Sequence, residues 1–395
     1  MAFGLSRTRL SPIAIDPGAD QLKLVQVAGG DPPQIVAMAG ETVPESARGD
    51  MDARQAFIEE ALPRLVQQGG FRGRRAMCTM PAFNTYVHHL DIANNQKVSQ
   101  DEQLHSQLRE RLNIEPTRMV VRSFELGQVQ QESGQVTRLV ALAARRDKVM
   151  RYVELARKCR LEVVGMHSEP LCVVNAFSHL FRRDTDQQRA TCFVDMGAAT
   201  TKVTIAHGRE MRFTKTIQAG GDQMIKALAE TRGIGFDQAR QAHWAEQPPL
   251  DQPLPQNEPT AETADAPPAE TSAGSEAATG NGTAHAATLD ATSAPADAAT
   301  ETRETIIDEL RLCLRYHTRL FSDTPIEQLI FTGGGAHDPA QCRAIAEATG
   351  LPARIGDPIA KWTADARAAI VGIDPSVPQP GWAVAAGLTQ CDANL

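Results

Sequence analysis

The sequence predicts an α/β protein with two like-folded lobes that face each other across a cleft. Two near-identical turns, Asp-Pro-Gly at 16–18 and Asp-Met-Gly at 195–197, each end an apolar run and lie 179 positions apart. Each turn is followed by a strand-like run that carries a lysine, Lys23 in one and Lys202 in the other. An apolar run then leads into a glycine triplet at 333–335. Hairpins duplicated in duplicated contexts indicate duplicated lobes.

The two turns suit a phosphate-binding cleft. Each Asp would end a buried strand, and the following Gly permits the tight turn into an antiparallel strand. Such turns present backbone N–H groups to anions, and the carboxylates of Asp16 and Asp195 could hold Mg²⁺ through water. Two facing hairpins would clamp the phosphates of a nucleotide. The alternative for either copy is an ordinary hairpin turn.

Composition excludes several protein classes. A chain of 395 residues with 42% hydrophobic content can bury more than one core. No apolar stretch approaches the ~20 residues of a membrane span, and the N-terminal residues lack the apolar core of a secretory signal. The seven cysteines form no C-x-x-C pair, which argues against zinc ribbons and disulfide frameworks. We expect a soluble, cytoplasmic chain with reduced thiols.

Residues 245–302 differ sharply from the rest of the sequence. They contain ten acidic residues, no Lys or Arg, and no Val, Ile, Met, Cys or aromatic residue. Such a composition cannot bury enough surface to offset chain entropy, so we expect a disordered acidic insertion. Without it, the chain has 40 basic and 38 acidic residues, which is not the basic footprint of a nucleic-acid binder.

Periodicity and chain breakers place the elements of the first half. Residues 11–43 alternate like a meander of strands, and a helical pattern interrupted by Pro63 covers 55–68. A compact α+β unit follows from about residue 71, and its first helix begins with the capping box Ser99-x-x-Glu102. Its other predicted elements are strands at 75–80, 85–91, 118–125 and 137–144 and a helix at 148–159. The chain then returns through a strand at 161–166 to a helix that begins near Glu169.

The second half repeats the hairpin and adds helices. The hairpin from residue 191 is followed by helices at 222–230 and 236–243, and an amphipathic helix is predicted at 305–321. A buried strand at 326–331 leads to the glycine triplet. The remaining predicted elements are a helix at 339–349, a strand near 354 and a helix from 382.

This order resembles the actin-like ATPase superfamily and, within it, the PilM family of type IV pilus assembly proteins. The resemblance covers nearly the whole chain except 245–302. Five stretches carry it: 15–23, 143–147, 168–171, 194–198 and 331–335. It implies an actin-like (ribonuclease H-like) duplicated fold with an inserted α+β module. The implied units are 1–48 with 161–190 (first lobe), 49–160 (inserted module), 191–222 with 303–395 (second lobe) and 223–244 (small helical subdomain).

The resemblance also implies roles for single residues, with ATP and Mg²⁺ as cofactors. Glu169 would orient the attacking water, although a carboxylate at a helix N-terminus is also simply favoured by the dipole. The implied nucleotide-binding residues are Asp16, Gly18 and Lys23 in the first phosphate loop, Asp195, Gly197 and Thr200 in the second, Gly220 and Gly221 near the ribose, and Gly333, Gly334 and Gly335 near the adenine.

One departure from the family's pattern bears on the first loop. Where the family usually carries small hydroxyl residues, this chain has Ala19 and Asp20. A carboxylate that faces phosphate would repel it. Asp20 therefore points away, becomes a metal partner, or weakens nucleotide binding, and ATP hydrolysis is expected to be slow or absent.

The implied function is a cytoplasmic scaffold of a type IV pilus or type II-like secretion apparatus. PilM-like proteins hold the cytoplasmic tail of PilN, a bitopic inner-membrane protein, in a groove between first lobe and inserted module. Here the strand at 118–125 and the loop after Gly73 are candidates for that groove. Self-association is also possible for such a scaffold. The alternatives are a small-molecule kinase of the same superfamily and an FtsA-like filament former.

Overall fold

The structure is a computed structural model that describes residues 10–94, 98–131, 134–248, 250 and 296–394. Its strands are β1 (Ile13–Pro17), β2 (Gln21–Ala28), β3 (Gln34–Thr42), β4 (Arg75–Met80), β5 (Thr85–Ala93), β6 (Met119–Gln131), β7 (Gly134–Arg145), β8 (Glu162–Ser168), β9 (Ala190–Met196), β10 (Thr201–His207), β11 (Glu210–Ile217), β12 (Ile326–Thr332), β13 (Ala353–Ile355) and β14 (Thr363–Val371). Its α-helices are α1 (Met51–Gln68), α2 (Gln100–Leu112), α3 (Arg146–Lys158), α4 (Glu169–Ala176), α5 (Gly221–Arg232), α6 (Phe236–Ala245), α7 (Ala296–Leu320), α8 (Pro339–Thr349) and α9 (Ala383–Leu388).

Two sheets repeat one topology. The first has the order β14-β3-β2-β1-β4-β8 and the second the order β11-β10-β9-β12-β13. In each, three antiparallel strands (β1 to β3, β9 to β11) are extended by parallel strands (β4 and β8, β12 and β13). The register repeats as well, since Asp16 lies opposite Lys23 and Asp195 opposite Lys202. The duplication predicted from the hairpins is therefore present in the sheets.

The inserted module is smaller than predicted. A third sheet of order β5-β7-β6 packs its apolar face on α2, with Leu90, Leu104 and Leu139 in that core. The strand β4 instead pairs with β1 and β8 in the first sheet, and α1 and α3 contribute Ile58 and Leu155 to a core of that sheet. The predicted boundaries of 49–160 are too wide, because parallel pairing joins strands that are distant in sequence.

The C-terminal part also returns to the first lobe. β14 pairs in parallel with β3 of the first sheet, and α9 packs tightly against α4, since a Cβ on Gly387 would lie 1.7 Å from the carbonyl oxygen of Cys172. The predicted assignment of all of 303–395 to the second lobe is therefore wrong from β14 onward. α5 and α6 pack on each other around Ile225 and Phe236.

Two helices differ from their predicted limits. Pro63 lies inside α1 without ending it, so the predicted interruption is wrong. α7 begins at Ala296, because Ala and Glu favour helix, and it buries Ile306 and Leu310 further along. The predicted disordered insertion at 245–302 is thus too long at its C-terminal end. Residues 251–295 lie outside the described residues. In the described part, no helix combines the length and apolarity needed to cross a bilayer.

Candidate functional site

The two Asp-x-Gly hairpins lie on one cleft of about 860 Å³. Both Asp16 and Asp195 line it, as the sequence predicts. The other predicted site residues that line it are Gly18, Lys23, Glu169, Gly197, Thr200, Gly221, Gly333, Gly334 and Gly335. Gly220 is not among the lining residues; it lies behind the second turn. The structure therefore brings together the predicted set with one exception, while nucleotide contact by each residue remains a prediction.

The second phosphate loop is held by backbone contacts to the start of α5. Gly197 N–H donates to the Thr200 carbonyl at 3.0 Å, and Gly221 N–H donates to the Gly197 carbonyl at 3.0 Å. Position 220 requires glycine, because a Cβ there would lie 2.4 Å from the carbonyl oxygen of Ala198. The loop and the N-terminus of α5 thus form one rigid unit that faces the cleft.

The glycine triplet packs against the second phosphate loop. Gly333 has a φ of 82° and donates its N–H to the Pro380 carbonyl at 3.0 Å. A Cβ on Gly333 would lie 2.4 Å from the Met196 carbonyl oxygen and 2.5 Å from Asp195 Oδ1. Backbone conformation and close approach both require glycine at this position.

An arginine that the sequence analysis did not single out supports the first loop. Arg54, on α1, is 3% exposed. It donates from Nη2 to the Pro17 carbonyl at 2.9 Å and from Nη1 to the Ala19 carbonyl at 3.3 Å, and it also donates to the Gly18 carbonyl. The guanidinium thus places a positive charge directly behind the first turn. Arg54 lies just before the predicted helix at 55–68, so no local pattern in the sequence indicated this role.

Asp16 is buried beside the first turn and accepts a hydrogen bond from Thr79 Oγ1 at 3.1 Å. Burial raises the pKa of Asp16 from 3.8 to about 6; Lys23 opposes the rise and Glu169 adds to it. A carboxylate in this setting is destabilised in its charged form. It is retained in the cleft at a cost in stability, which is typical of functional groups.

The contacts of Asp20 match none of the three possibilities that the sequence left open. It pairs with Arg48 and with Arg240, whose Nη1 lies 3.1 Å from Oδ1. Burial opposes ionisation of Asp20, but Arg48 and Arg240 outweigh it and hold its pKa below the ordinary value. Arg48 also binds Asp222 at 2.6 Å. These ion pairs join the first lobe to α5 and α6 at the rim of the cleft.

Lys202 is the functional-site candidate that sequence reasoning missed. Its Nζ lies 2.9 Å from Glu169 Oε2 and 2.9 Å from Asp195 Oδ2, and its side chain is 10% exposed. Burial disfavours its charge, but Asp195 and Glu169 raise the pKa of Lys202 well above its ordinary value. Glu169 Oε1 accepts from the Ala82 N–H at 3.1 Å. The repeated lysine after each Asp-x-Gly turn was the available signal.

The predicted Mg²⁺ site on Asp16 and Asp195 does not fit this arrangement. The Asp195 carboxylate already faces an ammonium group, and Asp16 is buried with a raised pKa. Across the described residues, no three His, Cys, Asp or Glu side chains are grouped to hold a metal ion. On the second hairpin the Lys202 ammonium contacts Asp195 Oδ2, so a Mg²⁺ ion held there would lie beside a positive charge.

Aromatic and imidazole side chains also line the cleft. Trp244, on α6, is 38% exposed and meets His337 edge-on at a centroid distance of 6.4 Å. His243 Nε2 lies 3.8 Å from Asp338 Oδ2. Flat apolar surfaces with a few polar groups suit a heterocyclic base. The sequence placed this helix but not its side chains in the cleft.

Comparison with solved structures gives the fold. A structure titled as the PilM-PilN type IV pilus biogenesis complex matches with a TM-score of 0.70 at 18% identity, over 96% of this chain and 98% of that chain. An ethanolamine utilization protein EutJ from Carboxydothermus hydrogenoformans matches with a TM-score of 0.48 at 11% identity, over 96% and 89%. MreB5 of Spiroplasma citri bound to ADP matches with a TM-score of 0.43 at 12% identity, over 96% and 95%. No curated protein matches the sequence.

The PilM match and the duplicated sheets establish the predicted actin-like two-lobe fold. A family model described as type IV pilus assembly protein PilM matches residues 14–257, more than half of the chain. That range includes both Asp-x-Gly hairpins, the β5-β7-β6 module and the helix that carries Glu169. The chain therefore belongs to the PilM family of type IV pilus assembly proteins.

Proposed function

We propose that this protein is a cytoplasmic, nucleotide-binding scaffold of type IV pilus assembly that holds the cytoplasmic tail of a PilN-like inner-membrane protein. The observation that carries the nucleotide part is the meeting of both Asp-x-Gly hairpins and the glycine triplet on one cleft. The partner part is supported by membership of the PilM family and by likeness to the PilM-PilN complex. The protein would be peripheral to the inner membrane through that partner.

ATP fits the chemistry of the cleft walls. The turns that contain Gly18 and Gly197 both line the cleft, and turns of this kind hold phosphates through backbone N–H groups. The N–H groups of Gly197, Gly221 and Asp222 are already bonded within the second loop, so they shape that loop and do not contact phosphate. Trp244 and His337, which also line the cleft, offer ring surfaces to a base. The charge of Arg54 behind the first turn favours an anion there.

Binding without rapid hydrolysis is the mode that the site supports. Attack on a phosphate by water needs a group that orients the water. Both oxygens of Glu169 are engaged, one by the Ala82 N–H and the other by Lys202. Glu169 acts here as a structural anion that ties α4 to β10, so hydrolysis is slow or absent.

The partner peptide would lie along the inserted module. β6 is an edge strand of the β5-β7-β6 sheet, and many of its side chains are exposed. An extended peptide can add to such an edge by main-chain hydrogen bonds, with specificity from alternate side chains. Closure of the cleft by nucleotide would change the affinity for the tail, and the tail would change nucleotide affinity by the same factor.

Two measurements test this function. ATP should raise the Tm of the purified protein, while phosphate release stays near background. A fluorescent peptide with the cytoplasmic sequence of a PilN protein from the same organism should bind, and a scrambled peptide should not. Absence of any ATP-induced shift contradicts the nucleotide part; equal binding of both peptides contradicts the partner part.

The two alternatives are not favoured. A small-molecule kinase and an FtsA-like filament former share the fold, but the family match is to pilus assembly. Phosphorylation of a sugar panel and pelleting of filaments by ultracentrifugation are the assays that would revive them.

A further inference from the structure

We propose that the Lys202 ammonium, which lies between Glu169 and Asp195, supplies the positive charge that a divalent metal ion would otherwise supply in the cleft. A nucleoside triphosphate would then bind without such an ion. This inference rests on the proposed nucleotide binding. It concerns what balances charge in the site, which the fold alone does not determine.

The Lys202 ammonium contacts one carboxylate from each lobe. Asp195 lies directly opposite Lys202 in the β9–β10 ladder, whereas Glu169 belongs to α4, which packs on the first lobe through α9. Each carboxylate oxygen lies 2.9 Å from Nζ. At this distance the contacts are charge-assisted hydrogen bonds, stronger than neutral ones.

The ammonium also borders the second phosphate loop. A Cβ on Gly197 would lie 3.2 Å from Lys202 Nζ, so the missing side chain leaves the ammonium beside the turn. An ammonium has three N–H donors. Glu169 and Asp195 take two of them, which leaves one for a phosphate oxygen.

A divalent ion would compete for the same carboxylates. To coordinate through Asp195 or Glu169, it would displace an ammonium that these groups already neutralise, or it would lie beside that positive charge. The equivalent Lys23 faces Asp16 in the register of the first hairpin but makes no carboxylate ion pair within the described part of the chain. Lys23 is therefore a matched control for charge removal in the same cleft.

The first experiment needs no nucleotide. The Tm of the full-length protein, Lys202→Met and Lys23→Met is measured in EDTA and in excess Mg²⁺. We expect Mg²⁺ to raise the Tm of Lys202→Met, in which Glu169 and Asp195 lack their bridging ammonium, and to leave the other two unchanged. A Mg²⁺-induced rise in the Tm of the unmodified protein overturns the proposal, and this outcome remains readable where Lys202→Met fails to fold. A folded Lys202→Met variant whose Tm does not respond to Mg²⁺ overturns it as well.

The second experiment measures ATP affinity of the unmodified protein by calorimetry in EDTA and in Mg²⁺. Affinities that agree within about threefold support the proposal, and a larger loss in EDTA overturns it. If ATP binds under neither condition, the proposed nucleotide function fails. The Tm measurements in Mg²⁺ without nucleotide then still test whether Lys202 takes the place of a metal ion. Failure of nucleotide binding and failure of the Lys202 proposal are therefore distinguishable.

Discussion

Asp195 and Lys202 face each other across the β9–β10 ladder with 2.9 Å between Oδ2 and Nζ, and Lys202 extends the same contact to Glu169 on α4. The first hairpin has the same residues in the same register, Asp16 opposite Lys23, yet Asp16 turns to Thr79 instead. Two hairpins alike in sequence therefore carry different electrostatic roles. In the second hairpin Lys202 balances the charge of Asp195, whereas the first hairpin retains Asp16, whose charged form is destabilised by burial.

Asp16→Asn should stabilise the protein at neutral pH. The pKa of Asp16 rises from 3.8 to about 6 on folding, so between these values the folded chain holds a proton that the unfolded chain has lost. Stability thus falls as pH rises through this window, and the penalty is full above it. Asn keeps an oxygen for Thr79, so Asp16→Asn should gain about 1–3 kcal/mol at pH 7.5.

Urea unfolding at several pH values checks this prediction. The gain should shrink as pH falls from about 6 to about 4, because folded Asp16 takes up its proton over this range, and it should vanish below 3.8, where Asp16 is protonated in both states. Glu169 raises the pKa of Asp16 while Lys23 and Lys202 lower it, so their net effect on the Asp16 charge is part of the measured difference. A variant less stable than the parent at pH 7.5 would contradict the raised pKa.

Arg48→Met should destabilise the protein by loosening the rim of the cleft. The Arg48 side chain is 7% exposed and binds Asp20 and Asp222, whose side chains are 46% and 20% exposed. Its removal leaves two carboxylates with fewer partners, and partial solvation of Asp20 limits the cost to about 1–3 kcal/mol. Denaturant unfolding measures this loss.

Arg64→Met is the control for Arg48→Met. Arg64 makes one ion pair, with Glu41 at 2.7 Å, and its side chain is 44% exposed. Exposed pairs contribute little because water screens them, so no measurable change is expected. Equal effects in the two variants would show that the rim ion pairs do not join the lobes.

Gly387→Ala should be severely destabilising. The added Cβ would lie 1.7 Å from the Cys172 carbonyl oxygen, within the α4–α9 contact, and backbone cannot yield as a flexible side chain does. A loss of more than about 3 kcal/mol is expected. Gly49→Ala is the control, since a Cβ there meets no atom of the described residues within 4 Å. A stable Gly387→Ala variant would mean that α4, and with it Glu169, is not fixed by α9.

The sequence predicts the site better than the boundaries around it. Asp16, Asp195 and the glycine triplet are recognisable because tight turns and close backbone approach demand particular residues. The placement of β4 and β14 in the first sheet was missed, because pairing with distant parallel strands leaves no local signal.

The sequence also does not predict which charged side chains pair with each other. Nothing in a repeated lysine distinguishes Lys202, held by two carboxylates, from Lys23. Arg54 and Arg48 likewise became site residues only when α1 and the segment before it folded against the first turn. Ion pairs across the cleft depend on how the lobes meet, which no local pattern records.

Gly333→Ala separates close approach from backbone strain in the glycine triplet. Gly333 and Gly350 have φ values of 82° and 69°, so Ala is strained at both. At Gly333 the Cβ would also meet backbone, 2.4 Å from the Met196 carbonyl oxygen, whereas no atom in the described part of the chain lies within 4 Å of a Cβ on Gly350. Gly350→Ala should therefore cost about 1–2 kcal/mol, and Gly333→Ala clearly more.

The same pair of variants links the glycine turn to ligand binding. Because Gly333 touches the loop that carries Asp195 and Gly197, displacing that loop should weaken ATP binding at least about tenfold in Gly333→Ala. Gly350→Ala, at the C-terminal end of α8, should bind ATP as the parent does. Calorimetric titration of both variants decides the matter, because unchanged ATP affinity in a folded Gly333→Ala variant would remove the glycine turn from the site.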